Sequence, residues 1–133
     1  MNEETINLVL TDICGRLPYG VITKNCKNNF DVPAHLLPDV NVIKHIIAEY
    51  DLKPYLRPMS SMTEEEKKEI GELLDASIEI DTDGNISYFS GSDFIPCSDY
   101  HIYIDYLNAH HLDYRGLIPM GLALEAPKDM YNI

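Results

Sequence analysis

His110-His111-Leu112-Asp113 is the segment whose residue types come nearest to chemistry. Two imidazoles and a carboxylate are a ligand set for zinc or a similar cation, and a small metal-dependent hydrolase is one activity they would support. The spacing works against it. Neighbouring residues on a helix point about 100° apart, so His110 and His111 converge on one ion only if a helix ends between them. The alternative is that one imidazole packs or caps a helix end, where a cation suits the dipole. A second fragment, Asp81-Thr82-Asp83-Gly84-Asn85, resembles part of a calcium loop. Placing Gly84 at the sixth loop position puts Ser90 where a bidentate Glu is required, so a hairpin turn accounts for these residues better. No Gly-rich phosphate loop and no GxSxG elbow occurs. The 22 acids supply many carboxylate pairs without singling one out. The residues therefore imply no catalytic set, no cofactor and no metal.

Two further features point to recognition. Tyr55 and Arg57 lie between Pro54 and Pro58, while Tyr114 and Arg115 follow the histidine pair. Tyr and Arg are favoured interface anchors, so Tyr55, Arg57, His110, His111, Asp113, Tyr114 and Arg115 form the candidate binding set. The competing reading packs these tyrosines at a core edge and pairs each Arg with local acids. The other feature is charge. Between Glu64 and Asp83 stand nine acids against Lys67 and Lys68, a net −7 out of −12 for the chain. Such a run is commonly a solvated face; read more sharply, it occupies a basic partner or acts as an acidic decoy of nucleic acid.

These residues must be held by three to four helices and a few strands. Ile6, Val9, Leu10, Ile13 and Leu17 repeat at 3.6 residues and predict a helix over 3–16, stopped by Pro18. A short strand is expected at 20–23 and a polar loop at 24–31. The 33–38 connection is irregular, and Val42, Ile43, Ile46, Ile47 and Tyr50 favour a helix while leaving a strand open. Pro54 and Pro58 force Tyr55 to Arg57 into an extended or turn conformation. Thr63 and Glu66 form a capping box for a helix running to about Asp75, with Ile70, Leu73 and Leu74 inward. Period-two alternation over 77–81 and 85–89, joined by Asp83-Gly84, predicts a hairpin, with a second turn at 90–93. Ser98 or Asp99 caps a helix over about 100–110 that is apolar nearly all round. A helical turn at 117–120 and a short strand at 122–124 end the fold.

The chain is 133 residues long, 45% hydrophobic and 24% charged, which suits one folded α+β domain. The expectation is three to four helices packed on a small, mainly antiparallel sheet that includes the 77–89 hairpin. A net charge of −12 argues against direct binding to nucleic acid. No apolar run matches a membrane span, and the acidic start lacks the positive region of a secretion signal, so a cytoplasmic location is expected. Cys14, Cys26 and Cys97 make no CxxC pair and read as buried, reduced thiols.

Three blocks carry a resemblance. Residues 53–66 (KPYLRPMSSMTEEE), the segments 107–118 (LNAHHLDYRGLI) and 121–127 (GLALEAP), and the opening 8–20 ending in RLPYG are similar to small proteins of phages and mobile elements in gut anaerobic bacteria. Residues 22–50 and 77–100 lie outside the similarity. That family has no assigned function and transfers no site residues. It implies a phage or mobile-element setting in a bacterial cell. The combined expectation is a non-enzymatic accessory protein that binds a host or phage protein, of undetermined oligomeric state.

Overall fold

A computed structural model describes residues 2–74, 77–80, 86–89 and 97–131. In chain order the elements are α1 (Glu3–Arg16), β1 (Ile22–Asn25), β2 (Phe30–Pro33), α2 (Val40–Tyr50), β3 (Leu52–Leu56), α3 (Glu64–Leu74), β4 (Ser77–Ile80), β5 (Ile86–Phe89), α4 (Cys97–Ala109) and β6 (Leu124–Glu125). Single 3-10 turns occupy Leu17–Tyr19, Ala34–Leu36 and Met59–Ser61. The class is α+β, as composition and pattern predict. Among the described residues no helix is long and apolar enough to cross a membrane.

Two compact units divide the chain: residues 1–56 with 115–133, and residues 57–114. Each has its own apolar cluster. In the first, Ile6, Val9 and Ile13 of α1 meet Ile43 and Ile47 of α2 over Leu52 and Leu56 of β3. In the second, Met59, Met62 and Ile70 meet Tyr103, Leu107 and Leu112.

The first unit holds a four-stranded sheet in the order β2-β1-β3-β6. Its β1–β2 and β1–β3 pairs are antiparallel, and β3–β6 is parallel. Local chemistry sets the helix ends. Asn2 Oδ1 accepts the Thr5 N–H at 2.8 Å to start α1, and Asp39 Oδ1 accepts the Val42 N–H at 2.9 Å to start α2. Asp51 at φ 53° ends α2, which resolves the helix–strand ambiguity of residues 42–50 in favour of helix.

The polar stretch 24–31 is a correction. It is a hairpin rather than a loop: β1 begins at Ile22 and runs on through Asn25, and β2 starts at Phe30. Asn25 Oδ1 accepts the Asn28 N–H at 2.9 Å, and Asn29 takes φ 56°. The asparagines thus make the turn, while cross-strand pairing, invisible to local polarity, makes Lys24 and Asp31 strand residues. The last strand likewise falls at 124–125 rather than 122–124.

β2 is an outer strand, and its edge is guarded. Ala34 N–H donates to Val21 C=O at 3.0 Å, so the backbone N of Pro33 faces away from β1. Pro33 presents no donor there and Asp31 presents a charge, both devices that block edge-to-edge pairing beside the half-exposed Phe30. Pro33→Thr restores the donor. It is expected to raise concentration-dependent self-association in sedimentation equilibrium, while monomer stability changes by less than about 1 kcal/mol.

In the second unit the predicted hairpin strands pair antiparallel, with Ser77 opposite Phe89 and Ile80 opposite Ile86. They form a separate two-stranded sheet rather than part of the main one, because the other strands belong to the first unit. The expected turns at Asp83-Gly84 and 90–93, the calcium-like fragment and the side chains of Cys97, Ser98 and Asp99 lie outside the described residues. Helix α4 begins earlier than predicted, at Cys97. Tyr103 and Leu107 are buried, while Ile102, Ile104 and Tyr106 are half-buried. In α3, Glu66 and Ile70 are buried but Leu73 is 55% exposed, against expectation.

Candidate functional site

The capping box of α3 forms as its sequence dictates. Glu66 N–H donates to Thr63 Oγ1 at 3.1 Å, and Thr63 N–H donates back to Glu66 Oε1 at 2.9 Å. The same carboxylate does more. Arg57 grips it with two nitrogens, Nη1 to Oε2 at 2.8 Å and Nη2 to Oε1 at 2.6 Å. His110 Nδ1 lies 2.8 Å from Oε2. Arg57 also donates from Nη1 to His110 C=O at 3.3 Å and from Nη2 to Ser61 C=O at 3.2 Å. A guanidinium carries two hydrogens on each terminal nitrogen, so these four bonds engage all of them.

Burial by itself pushes the Glu66 carboxyl up. The Arg57 bonds, the Thr63 N–H, the Arg57 charge and His110 outweigh it and hold the group down at about 2. Glu66 is therefore a carboxylate at neutral pH, an acceptor that calls for a hydrogen on His110 Nδ1. The His110 ring is stacked on Tyr106, with centroids 4.0 Å apart and planes 15° apart. Tyr106 O–H donates to Glu69 Oε2 at 2.5 Å; burial first, then Glu69, pushes that phenol above its ordinary range.

The chain around the histidines is tied to the same place. Arg57 N–H donates to His111 C=O at 2.7 Å, and Asp113 N–H donates to Arg57 C=O at 2.8 Å, making a one-pair parallel bridge at Arg57 and Leu112. His111 sits at φ 58° with its side chain buried. That conformation ends α4 and turns the two imidazoles into different surroundings. Among the described residues no three His, Cys, Asp or Glu side chains are grouped to hold a metal ion.

Of the candidate set, Arg57 and His110 thus meet on Glu66, His111 and Asp113 are joined to Arg57 through backbone bonds, and Tyr114 O–H reaches Asn108 Oδ1 at 2.9 Å. Tyr55 and Arg115 belong to the first unit. Tyr55 O–H donates to Asp31 Oδ1 at 2.7 Å, and its phenol is pushed up to about 12 by burial and then by that carboxylate. Arg115 Nη1 donates to Asp12 Oδ1 at 2.6 Å. Asp12 is also held by Arg16, through Nε to Oδ2 at 3.0 Å and Nη2 to Oδ1 at 3.1 Å. The arginines therefore pair with acids, two of the three with acids distant in sequence. Cys14 and Cys26 are half-buried free thiols whose pKa burial raises.

The sequence marks Glu66 as a cap but not as a hub, and no motif in it singles out the Asp12–Arg16 pair. A signal for the latter existed: Asp12 and Arg16 stand four apart, on the same side of α1 as Val9 and Ile13.

Fold and site together define an α+β protein whose three arginines pair with the buried carboxylates of Asp12 and Glu66. No family model, curated protein or solved structure matches the chain.

Proposed function

We propose that this chain is an accessory protein that binds another protein, and that residues 57–114 supply the recognition surface for a basic partner. The observation that carries this reading is the segregation of charge between the units. Residues 57–114 hold thirteen acids against three bases, a net −10 of the chain's −12. An asymmetry of that size steers association with a surface of opposite sign and suppresses others. The geometry of the would-be reactive groups agrees. Arg57 and His110 are spent on Glu66, so they build the segment rather than leave a guanidinium open to a substrate. The resemblance of residues 53–66, 107–118 and 121–127 to phage and mobile-element proteins supports a bacterial partner.

The exposed acids Glu65, Glu69 and Glu72 of α3 provide the test. Their simultaneous change to Lys is expected to abolish capture of a basic protein from a bacterial lysate, and about 0.5 M salt should weaken capture by the wild type, since exposed charges are screened beyond a few Å at that strength. Capture unchanged by both treatments overturns the reading. If DNA competes with capture, the partner's own nucleic-acid site is the surface engaged, as a decoy requires.

A further inference from the structure

We propose that the C-terminal segment is a strap whose Tyr131 hydroxyl stands in for one backbone rung between β1 and β3, giving the sheet a strapped state and a directly zipped state. The register makes the missing rung identifiable. Thr23 pairs with Pro54, Lys24 with Lys53 and Asn25 with Leu52. Cys26 N–H donates to Asp51 C=O at 3.3 Å, which sets the parity of this antiparallel ladder. Bonded pairs then recur at 26/51, 24/53 and 22/55, every second residue.

At the 22/55 position a side chain intervenes. Ile22 N–H donates to Tyr131 Oη at 3.0 Å, and the Tyr131 O–H donates to Tyr55 C=O at 2.7 Å. A hydroxyl does this because it accepts and donates at once, so the Ile22 N–H and the Tyr55 C=O both stay satisfied without a direct bond between them. Proton donation requires a neutral phenol. Burial, opposed by the Ile22 N–H, pushes that of Tyr131 up to about 12. The tail is shaped to deliver it: Met130 N–H donates to Pro127 C=O at 3.1 Å, and Asp129 takes φ 70°.

The position matters because β3 changes partner there. Tyr55 is opposite Leu124 of β6 on its other side, and its own hydroxyl holds Asp31 of β2. Drawing the tail off lets Ile22 N–H close on Tyr55 C=O, so whatever takes the tail acts on the centre of the sheet.

Two variants of the full chain distinguish a strap from inert packing. Tyr131→Phe keeps the ring between the strands but removes the oxygen, so amide exchange at Ile22 should quicken about tenfold or more, the equivalent of one lost hydrogen bond. Tyr131→Ala removes the wedge. Ile22 should then regain wild-type protection, with a scalar coupling from Ile22 N to Tyr55 carbonyl carbon that the wild type lacks. Fast exchange in Tyr131→Ala without that coupling overturns the two-state strap, as does unchanged exchange in Tyr131→Phe. Should Tyr131→Ala not fold, the wild type decides. A slowly exchanging Tyr131 hydroxyl proton with an Overhauser effect to the Ile22 amide is expected, and its absence overturns the proposal.

Discussion

Glu66→Ala is expected to lose about 3–5 kcal/mol of stability, the range for removing one partner of a buried ion pair, measured by urea denaturation at pH 7. The loss is large because one carboxylate, with a side chain only 7% exposed, serves three segments. It closes the α3 cap, neutralises Arg57 and orients His110 at the end of α4. Removing it strands a guanidinium whose side chain is 16% exposed. Glu66→Gln keeps an acceptor for part of this set and should lose roughly half as much.

The same group makes stability depend on acid. Its folded pKa of about 2 lies below the ordinary 4.5, so folding favours the ionised form. The contribution is fully present above about pH 4.5 and disappears as pH falls through the folded value near 2. The unfolded chain binds the proton first, and its magnitude is on the order of 3 kcal/mol. Wild type should therefore lose this much more stability between pH 5 and pH 2 than Glu66→Gln. Parallel pH profiles for the two proteins would show that Glu66 is not held ionised by its partners.

Asp12→Ala is expected to cost a similar 3–5 kcal/mol, seen as a fall in Tm of about 10–20 °C for a chain of this length. Asp12 and Arg16 both have 0% side-chain exposure, and Arg115 arrives on the same carboxylate from 103 residues away. Deleting the anion removes the group that both guanidiniums share, one of them fully buried. The pair itself need not be the most stable filling of that space, because two charges must first be stripped of water. Replacing both, as Asp12→Leu with Arg16→Met, should therefore destabilise less than Asp12→Ala alone. Equal or greater loss in the double variant would mean that the pair contributes beyond cancelling its own desolvation.

The sequence by itself determined what short-range physics decides. Residues 2–16 carry a cap, acids at the positive helix end and a 3.6-residue stripe, and they form α1 at the expected limits. Thr63 and Glu66 close a capping box because the two groups lie within one turn of each other. The α+β class and the 77–89 hairpin strands follow from periodicity. Tertiary structure alone decided where polar groups that look alike would end. Nothing local says that the hairpin pairs apart from the main sheet, that Lys24 and Asp31 become strand, or that Leu73 turns outward. Nor does it say that Tyr55 and Arg115 sit in one unit while Arg57 and Tyr114 sit in the other. The reason is range. Caps and turns are settled among neighbours a few residues apart, whereas a buried carboxylate recruits its partners from anywhere in the chain. Glu66 takes Arg57 and the His110 ring, and Asp12 takes Arg115, because only the folded backbone brings those groups close enough to offset the cost of losing water.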